Sequence, residues 1–524
     1  MPPLTLPRGD MTMSGGANVR GRSGVTSIAV DLGAESGRVV LGVFDGTRLS
    51  IEEVHRFANN PVRVLECEYW DVLNLFHAVK AGLIRAAAKA GGAVATIGFD
   101  TWALDFAFLA GDGSLLGNPH TYRDSRTTGM MDRVFRRISR ERIFATTGIQ
   151  FMEINSLYQL AAIADQNPKL LECAQTLLMI PDLFNYWLTG ELVCERTNAS
   201  TTQFLEAHTR EWASAILVDL GIPTHFLPTL VSPGVFIGPL LAPVGREVGL
   251  PETKVVAPAC HDTASAVVGV PAAMEGFAYI SSGTWSLVGV ETGCPITNQT
   301  AQQANMSNEG GVCGTYRFLK NVMGLWLLQG CRGAWTERGD NAPTYEELVR
   351  QAEATPVGGP LIDPDDPMFL RAPNMPEAIV AFLVRTEQAP PQTRGGLVRC
   401  VLESLALKYR WVLENIEAVT GNPITVVHIV GGGAKNALLC QLTADVTRHP
   451  VLAGPVEATV IGNLGMQLTA QGRLGGLEDI RALVRTSFPI REFVPSRCEV
   501  WDATYDQFVS LLARTSETQR DSLG

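Results

Sequence analysis

A duplicated α/β architecture with a cleft between two lobes is what this 524-residue sequence predicts, on three observations. Two loops of small residues, Asp31-Leu32-Gly33-Ala34-Glu35-Ser36-Gly37-Arg38 and Ser281-Ser282-Gly283-Thr284-Trp285, stand one in each half of the chain. Each lies between apolar runs, SIAV and VVLGVF for the first, AYI and SLVGV for the second, and so reads as a tight β-hairpin. In each half a later apolar strand also runs into the start of a helix, which gives the second half the plan of the first. The chain is also too long for one hydrophobic core, so two lobes are expected.

The elements follow in order. Residues 1–25 carry Pro, Gly, Ser and Arg without an apolar core, and read as a disordered extension; translation starting at Met11 or Met13 is equally consistent. After the first hairpin a strand is expected over 49–57. Apolar residues at helical spacing (Leu73, Phe76, Val79, Leu83, Ile84) predict a helix over 73–89, stopped by Gly91-Gly92. Strands are expected over 95–99 and 106–110, and a mainly helical region over 125–220. The run 254–259 is a strand leading into Cys260-His261-Asp262-Thr263, where a helix begins. The lobes should join near Pro271, giving one lobe over 26–270 and another over 271–490. In the second, a hairpin over 277–291 is followed by a long helix over 395–420 and a strand over 424–430, which ends in Gly431-Gly432-Gly433-Ala434-Lys435-Asn436. The Pro- and Gly-rich stretch 352–393 reads as an insertion or long surface loop. Residues 491–524 should form a terminal helix and tail.

Composition narrows the function. With 46% hydrophobic and 18% charged residues the chain is that of a folded enzyme. A net charge of −11 argues against nucleic acid or an acidic membrane as its main partner, because a phosphate backbone demands basic surface. No apolar run reaches the ~18 residues of a membrane helix. Ten scattered cysteines, without a C-x-x-C pair or zinc-like spacing, fit reduced thiols in a cytoplasmic protein. The acidic balance permits a monomer or a homodimer.

Glycines in the two hairpin loops let backbone N–H groups crowd an anion, and hydroxyls add donors. A pair of such loops would grip a polyphosphate from both sides. The first loop is not a Walker A, since no G-x-x-x-x-G-K-[ST] occurs. Asp31, leaving a strand end, is placed to hold a Mg²⁺ and its waters beside a phosphate. Glu35 would repel a phosphate, so it must turn away or reach the metal. Asp262 opens a helix, where the dipole favours its ionised form; it reads equally as an N-cap or as a base accepting a hydroxyl proton. The glycines 431–433 let backbone lie flat against a base or ribose, or simply make a tight strand-to-helix connection, and they lack G-x-G-x-x-G spacing. Trp102 between Asp100 and Asp105, and Asn321 near Trp326 and Gln329, combine flat faces with amides and carboxylates, as sugar sites do; core packing is the competing reading for each tryptophan. Tyr122-Arg123-Asp124-Ser125-Arg126 reads better as a salt-bridged helix start than as an anion site.

Taken together and in order, these residues resemble the FGGY carbohydrate kinases of the actin–hexokinase–Hsp70 superfamily, whose two-lobed, ribonuclease H-like fold is duplicated. The first loop resembles their phosphate-1 motif, SSGTW their phosphate-2 motif, and VGGGAKN with AGPVEATVIGN their adenosine-side motif. The strings IGFDTWALDF, YRDSR, GIQFMEINSLYQL, LLMIPDLFNYWLTG, CHDTASAVVGVP and FLKNVMGLWLLQ extend the similarity from about Ser27 to about Leu483. The resemblance implies ATP-dependent phosphorylation, with Mg²⁺, of the C1 hydroxyl of a ketose, L-rhamnulose being the one it points to. By the same resemblance Asp262 is the catalytic base, and His261 and Thr263 line the sugar with Asn321, Trp102, Ala103 and Asp105. Ala34, Glu35, Ser36, Gly37, Arg38 and Thr284 would hold phosphates; Gln329 and Gly432 or Gly433 would touch the nucleotide. Ala103 stands where a glycine commonly contacts sugar, and Glu35 replaces a frequent small hydroxyl residue.

Other classes compete: a kinase for another ketose or polyol such as L-fuculose or L-xylulose, an actin-like ATPase, or a non-catalytic sugar sensor. An ATPase that uses water needs no sugar-side carboxylate, and the intact Asp31, Asp262 and paired loops speak against a sensor.

Overall fold

The computed structural model describes residues 24–337, 343–496 and 498–521. Nearly all of the extension expected over 1–25 lies outside them.

The first sheet is built from β1 (Val25–Leu32), β2 (Ser36–Phe44), β3 (Leu49–Ala58), β4 (Thr96–Thr101), β5 (Val235–Pro239) and β6 (Lys254–Ala257), ordered β3-β2-β1-β4-β6-β5. The pairs β1/β4 and β4/β6 are parallel and the others antiparallel. The second sheet holds β7 (Phe277–Ser282), β8 (Trp285–Thr292), β9 (Ser307–Gly310), β10 (Tyr316–Met323), β11 (Val426–Val430), β12 (Val451–Ala453) and β13 (Arg491–Phe493), ordered β9-β10-β8-β7-β11-β12-β13. Apart from the extra edge strand β9, its order and strand directions repeat those of the first sheet. The duplication expected from the two hairpins is therefore present strand for strand.

Central strands buried on both faces explain the apolar runs. In β1, Ile28, Val30 and Leu32 face one core, with Val79 and Leu83 of the helix α1 (Val72–Ala90), while Ala29 faces another. Asp71 caps α1 by accepting from the Asn74 N–H, and Gly91, at φ 63°, ends it in the left-handed conformation that glycine takes without strain. Each fully buried Val or Leu on that face contributes about 1.5–3 kcal/mol.

Two helices lie between the sheets. One, α2 (Asp262–Val268), follows β6; after the long α3 (Arg394–Thr420), the other, α4 (Ala458–Ala470), follows β12. Each packs on both sheets and so reaches across to the other lobe. Val460, Ile461 and Leu464 of α4 pack with Ala29 and Val40 of the first sheet, while Ala266 and Val267 of α2 pack with Tyr279 and Val430 of the second. The helices cross backbone to backbone: a Cβ on Gly462 would sit 1.8 Å from the Ser265 carbonyl, and one on Gly269 would sit 2.3 Å from that of Ala458. On the first-sheet side of α4, Asn463, Gln467 and Gln471, spaced by four, form a row of amides. Asn463 donates to the Gly98 carbonyl and to Asp100, Gln467 to the Ile28 carbonyl, and Gln471 to Ser27 and Thr96.

The stretch 352–393 is not a surface loop. It contains the helix Met375–Arg385, and Leu361, Ile362, Phe369, Ile379, Phe382 and Leu383 are buried. Its prolines misled: Pro376 occupies the first helical turn, where no N–H is needed, and Asn374 caps that turn. The region 125–220 is mostly helical as expected, with short strands at Thr176–Met179 and Val193–Glu195. Within residues 431–436 a single 3₁₀ turn, Gly432–Lys435, leads into the helix Ala437–Thr447. The nine cysteines with described side chains are free thiols. Among the described residues no helix is long and apolar enough to cross a membrane.

Candidate active site

Asp262 sits where parallel strands end. The main chain after β6 continues beside β4, with the Thr101 N–H bonded to the Cys260 carbonyl at 2.9 Å, so the first residue of α2 emerges at the carboxyl edge of the sheet. That edge is where open α/β sheets place ligands. Buried Glu195 secures the segment by accepting from the N–H groups of Cys260 (3.0 Å) and Thr197 (2.8 Å). In return the Thr197 hydroxyl accepts from the His261 N–H at 3.2 Å.

A cleft of about 260 Å³ opens there between the lobes. Gly33, Ala34 and Arg38 of the first hairpin line it, facing Ser282, Gly283 and Thr284 of the second. Gly431 and Gly432 lie at one end, and His261, Asp262 and Thr263 occupy the floor. The remaining wall, made of Trp102, Ala103, Leu104, Tyr122, Asn155 and Asn321, is flanked by Ile149, Met152 and Ile154. Leu104 has φ 77°, a left-handed backbone costly for a bulky residue. Its carbonyl is held there by the Ser156 hydroxyl and the Gln159 amide, which fixes how Ala103 and Trp102 meet the cleft.

Carboxylates crowd the floor. Burial pushes the pKa of Asp262 up to about 7, with the nearby Asp31 carboxylate adding to it. Burial, then Asp31, raises Asp100 well above the usual carboxylate range, and Asp100 Oδ1 is buried with no hydrogen-bond partner among the described residues. Asp31 itself accepts from Arg38 Nε (2.8 Å) and Nη2 (2.6 Å), and Arg38 also reaches Glu457 of the second lobe. Among the described residues no three His, Cys, Asp or Glu side chains are arranged to hold a metal ion by themselves.

The other expected residues separate. Asn321 lines the cleft, its side-chain amide donating to Gln150 (3.2 Å) and Glu309 (3.4 Å). Glu35 meets Thr284 across the cleft, accepting from its hydroxyl at 3.4 Å. Ser36 faces Arg56, and Gly37 is held to glycine by Phe57, whose ring a Cβ would meet at 2.3 Å. Gly432 borders the cleft, whereas Gly433 is packed under the Ser282 hydroxyl. Gln329 is on the helix Trp326–Glu337, away from the cleft lining, with its Oε1 buried and unpartnered among the described residues. The reading of Asp105 as a sugar ligand is corrected. Its carboxylate is buried behind the wall and accepts from Trp70 Nε1 (2.6 Å), Trp102 Nε1 (3.0 Å), the Tyr122 N–H (3.1 Å) and Gln159 Nε2 (3.0 Å). Trp102 explains the confusion, because one residue serves both places: its ring packs against Trp70, tilted by 45° with centroids 4.5 Å apart, and also borders the cleft.

Removing that carboxylate should therefore act first on stability. Asp105→Ala strands several buried donors and is expected to cost about 2–4 kcal/mol in urea unfolding. The Michaelis constant for sugar should rise more than turnover falls, through a misplaced Trp102. Unchanged stability with sugar binding abolished would restore Asp105 as a direct ligand.

Sequence reasoning gave no role to Glu309, Arg317, Asn155, Glu457, Ile149, Met152 or Ile154. The strings GIQFMEINSLYQL and AGPVEATVIGN contain all of these but Glu309 and Arg317, yet only the tertiary fold shows that Glu309, Asn155, Ile149, Met152 and Ile154 line the cleft.

A carboxylate at a helix start, facing a pair of glycine hairpins across a closed floor, defines a phosphotransferase that acts on a hydroxyl group. The comparisons give the same class. Residues 26–269 match the N-terminal domain model, and residues 278–471 the C-terminal domain model, of the FGGY family of carbohydrate kinases. The chain belongs to that family. It is 43% identical over 480 residues to a rhamnulokinase of Bacteroides thetaiotaomicron, covering 92% of this chain and 98% of the relative. It is also 44% identical over 471 residues to one of Pectobacterium atrosepticum, covering 89% and 92%. The fold matches the solved xylulose kinase of Lactobacillus acidophilus, with a TM-score of 0.78 at 17% identity over 94% of this chain and 98% of that one. The gluconate kinase of the same organism gives 0.77 at 17% identity, covering 93% and 98%.

Proposed function

We propose that the chain transfers the γ-phosphoryl group of ATP to the C1 hydroxyl of L-rhamnulose. The observation that carries this reading is Asp262: a half-buried carboxylate, its side chain 32% exposed, with a pKa raised to about 7, lining the cleft between two phosphate-type loops. The identity to rhamnulokinases over about nine-tenths of the chain selects the sugar.

The residues divide the work. Asn321, Asn155 and Thr263 offer hydrogen bonds to sugar hydroxyls and His261 lines the sugar beside Asp262, while Trp102, Tyr122, Ile149, Met152 and Ile154 supply an apolar wall suited to the methyl group of a 6-deoxy ketose. Asp262 takes the proton as the C1 oxygen bonds to the γ-phosphorus; the bond from that phosphorus to the β–γ bridging oxygen breaks, and ADP leaves. Because such transition states are loose, positioning and charge neutralisation dominate over the strength of the base. The N–H groups of Ala34 and Thr284, with Arg38, receive the phosphates, while those of Gly33 and Gly283 close the hairpins by donating to the Ser36 and Trp285 carbonyls; Gly432 borders the nucleotide. Asp31 and Asp100 suit a Mg²⁺ held through water, since they are paired across adjacent strands and Asp100 Oδ1 is buried with no hydrogen-bond partner among the described residues. Bound with ATP, the ion would neutralise phosphate charge, and Arg38 would exchange its Asp31 partner for phosphate.

An ADP-release assay over a ketose and polyol panel tests the substrate. L-Rhamnulose should be best, L-fuculose weaker through one inverted hydroxyl, and glycerol negligible, because a site that grips hydroxyls rejects analogues lacking them. Ala103→Gly should be tolerated, since it only widens the wall. A preference of roughly tenfold or more for D-xylulose or glycerol overturns the choice of sugar but not the reaction.

A further inference from the structure

We infer that Arg317 and Glu309, both carried by the second sheet, are positioning residues that hold His261 in the one tautomer compatible with a carboxylate base beside it. The inference rests on the reading of Asp262 as that base. Arg317 is fully buried. Its Nη2 lies 3.0 Å from His261 Nδ1, its Nη1 3.1 Å from Glu309 Oε2, and its Nε donates to the Gly310 carbonyl at 2.9 Å. On its other side His261 Nε2 is 3.3 Å from Asp262 Oδ1, which also accepts from the Thr263 hydroxyl at 3.1 Å.

A guanidinium can only donate, so Nδ1 must present its lone pair and the ring proton must sit on Nε2, toward Asp262. Burial, with Arg317 adding to it, holds the pKa of His261 well below the ordinary value, so the ring is neutral. Without Arg317, Nδ1 is free to carry the proton toward Glu309 Oε2, 3.5 Å away. Nε2 would then turn a lone pair on the Asp262 oxygen, and the carboxylate would lose its contact with the ring. Glu309 in turn fixes the guanidinium and takes the Asn321 amide, so the same pair that orients the histidine also anchors a wall residue of the cleft. A buried ion pair used only for packing contributes little over apolar side chains of similar volume. Here its donor face meets the histidine beside the base, across the lobe boundary.

A double-mutant cycle distinguishes this from a structural role. Steady-state kinetics with ATP and L-rhamnulose, and thermal unfolding, would be measured for Arg317→Met, Arg317→Lys, His261→Ala and the Arg317→Met/His261→Ala pair. Arg317→Met should lower kcat by ~10–100-fold with KM for ATP unchanged, and Arg317→Lys, which keeps one donor and the charge, should recover part of the loss. In the His261→Ala background Arg317→Met should cost less than about twofold more, because the group it acts through is gone. A full penalty in that background, or a lysine variant no better than methionine, overturns the inference. Should Arg317→Met not fold, the near-isosteric Glu309→Gln carries the same cycle, with a loss of ~3–10-fold expected only when His261 is present. If the wild type ignores L-rhamnulose, the substrate reading fails separately, and the cycle is run on the panel's best ketose.

Discussion

Asp262→Asn should lower kcat by ~10²–10⁴-fold while leaving the fold intact, since it removes the proton acceptor and preserves shape. The same substitution should raise the melting temperature above pH 7. Burial and Asp31 lift the folded-state pKa from the ordinary ~3.9 to about 7, so the folded protein holds this proton more tightly than the unfolded chain. The associated stability is fully present below the ordinary carboxylate range and is lost as pH rises through about 7. An amide escapes that loss. Wild-type turnover should run the opposite way, falling as the pH drops below about 7 and the base protonates. Calorimetric melting and initial rates across pH 5–9 check both, and a variant with near-wild-type turnover would reduce Asp262 to an acidic residue of the first turn of α2, whose N-cap is His261.

Gly462→Ala should be the most damaging glycine-to-alanine substitution among the described residues. The added carbon would lie 1.8 Å from the Ser265 carbonyl and 3.1 Å from the Gly269 nitrogen, and backbone on both sides leaves no side chain to swing away. Separating α2 from α4 is expected to cost about 2–4 kcal/mol in urea unfolding. Because α2 begins with Asp262, turnover should fall as well, with KM for ATP little changed. Gly333→Ala is the matched control: it lies in a helix, its Cβ would meet nothing within 4 Å, and it should be neutral or stabilising by up to ~1 kcal/mol. Equal effects of the two substitutions would show that the crossing tolerates expansion.

The hairpins, the strands leading to Asp262 and to Gly431, and α1 were legible in the sequence because each writes a local signal: alternating or continuous apolar runs, a glycine stop, a cap. What stayed hidden depends on partners distant along the chain. Asp105 and Asp262 look alike as acidic residues near strand ends, and only the four donors around Asp105 reveal that it supports the wall from behind. Arg317 and Glu309 sit in an ordinary edge hairpin until the second lobe is laid against His261. The buried helix Met375–Arg385 was masked by prolines that mark a helix start as readily as a loop.

The amide row on α4 bears on synthesis as well as on the finished enzyme. Asn463, Gln467 and Gln471 cover the face of the first sheet around Ile28 and Gly98, yet that sheet is complete once β6 has been made. Roughly two hundred further residues separate the two, ~10–40 s at ordinary translation rates, during which the emerging first lobe shows the ribosome exit a bare surface of Ala29, Val40 and Phe44. The nascent chain must keep that surface from sticking to others, by its own transient folding or with a chaperone's help, until its last third arrives to close it.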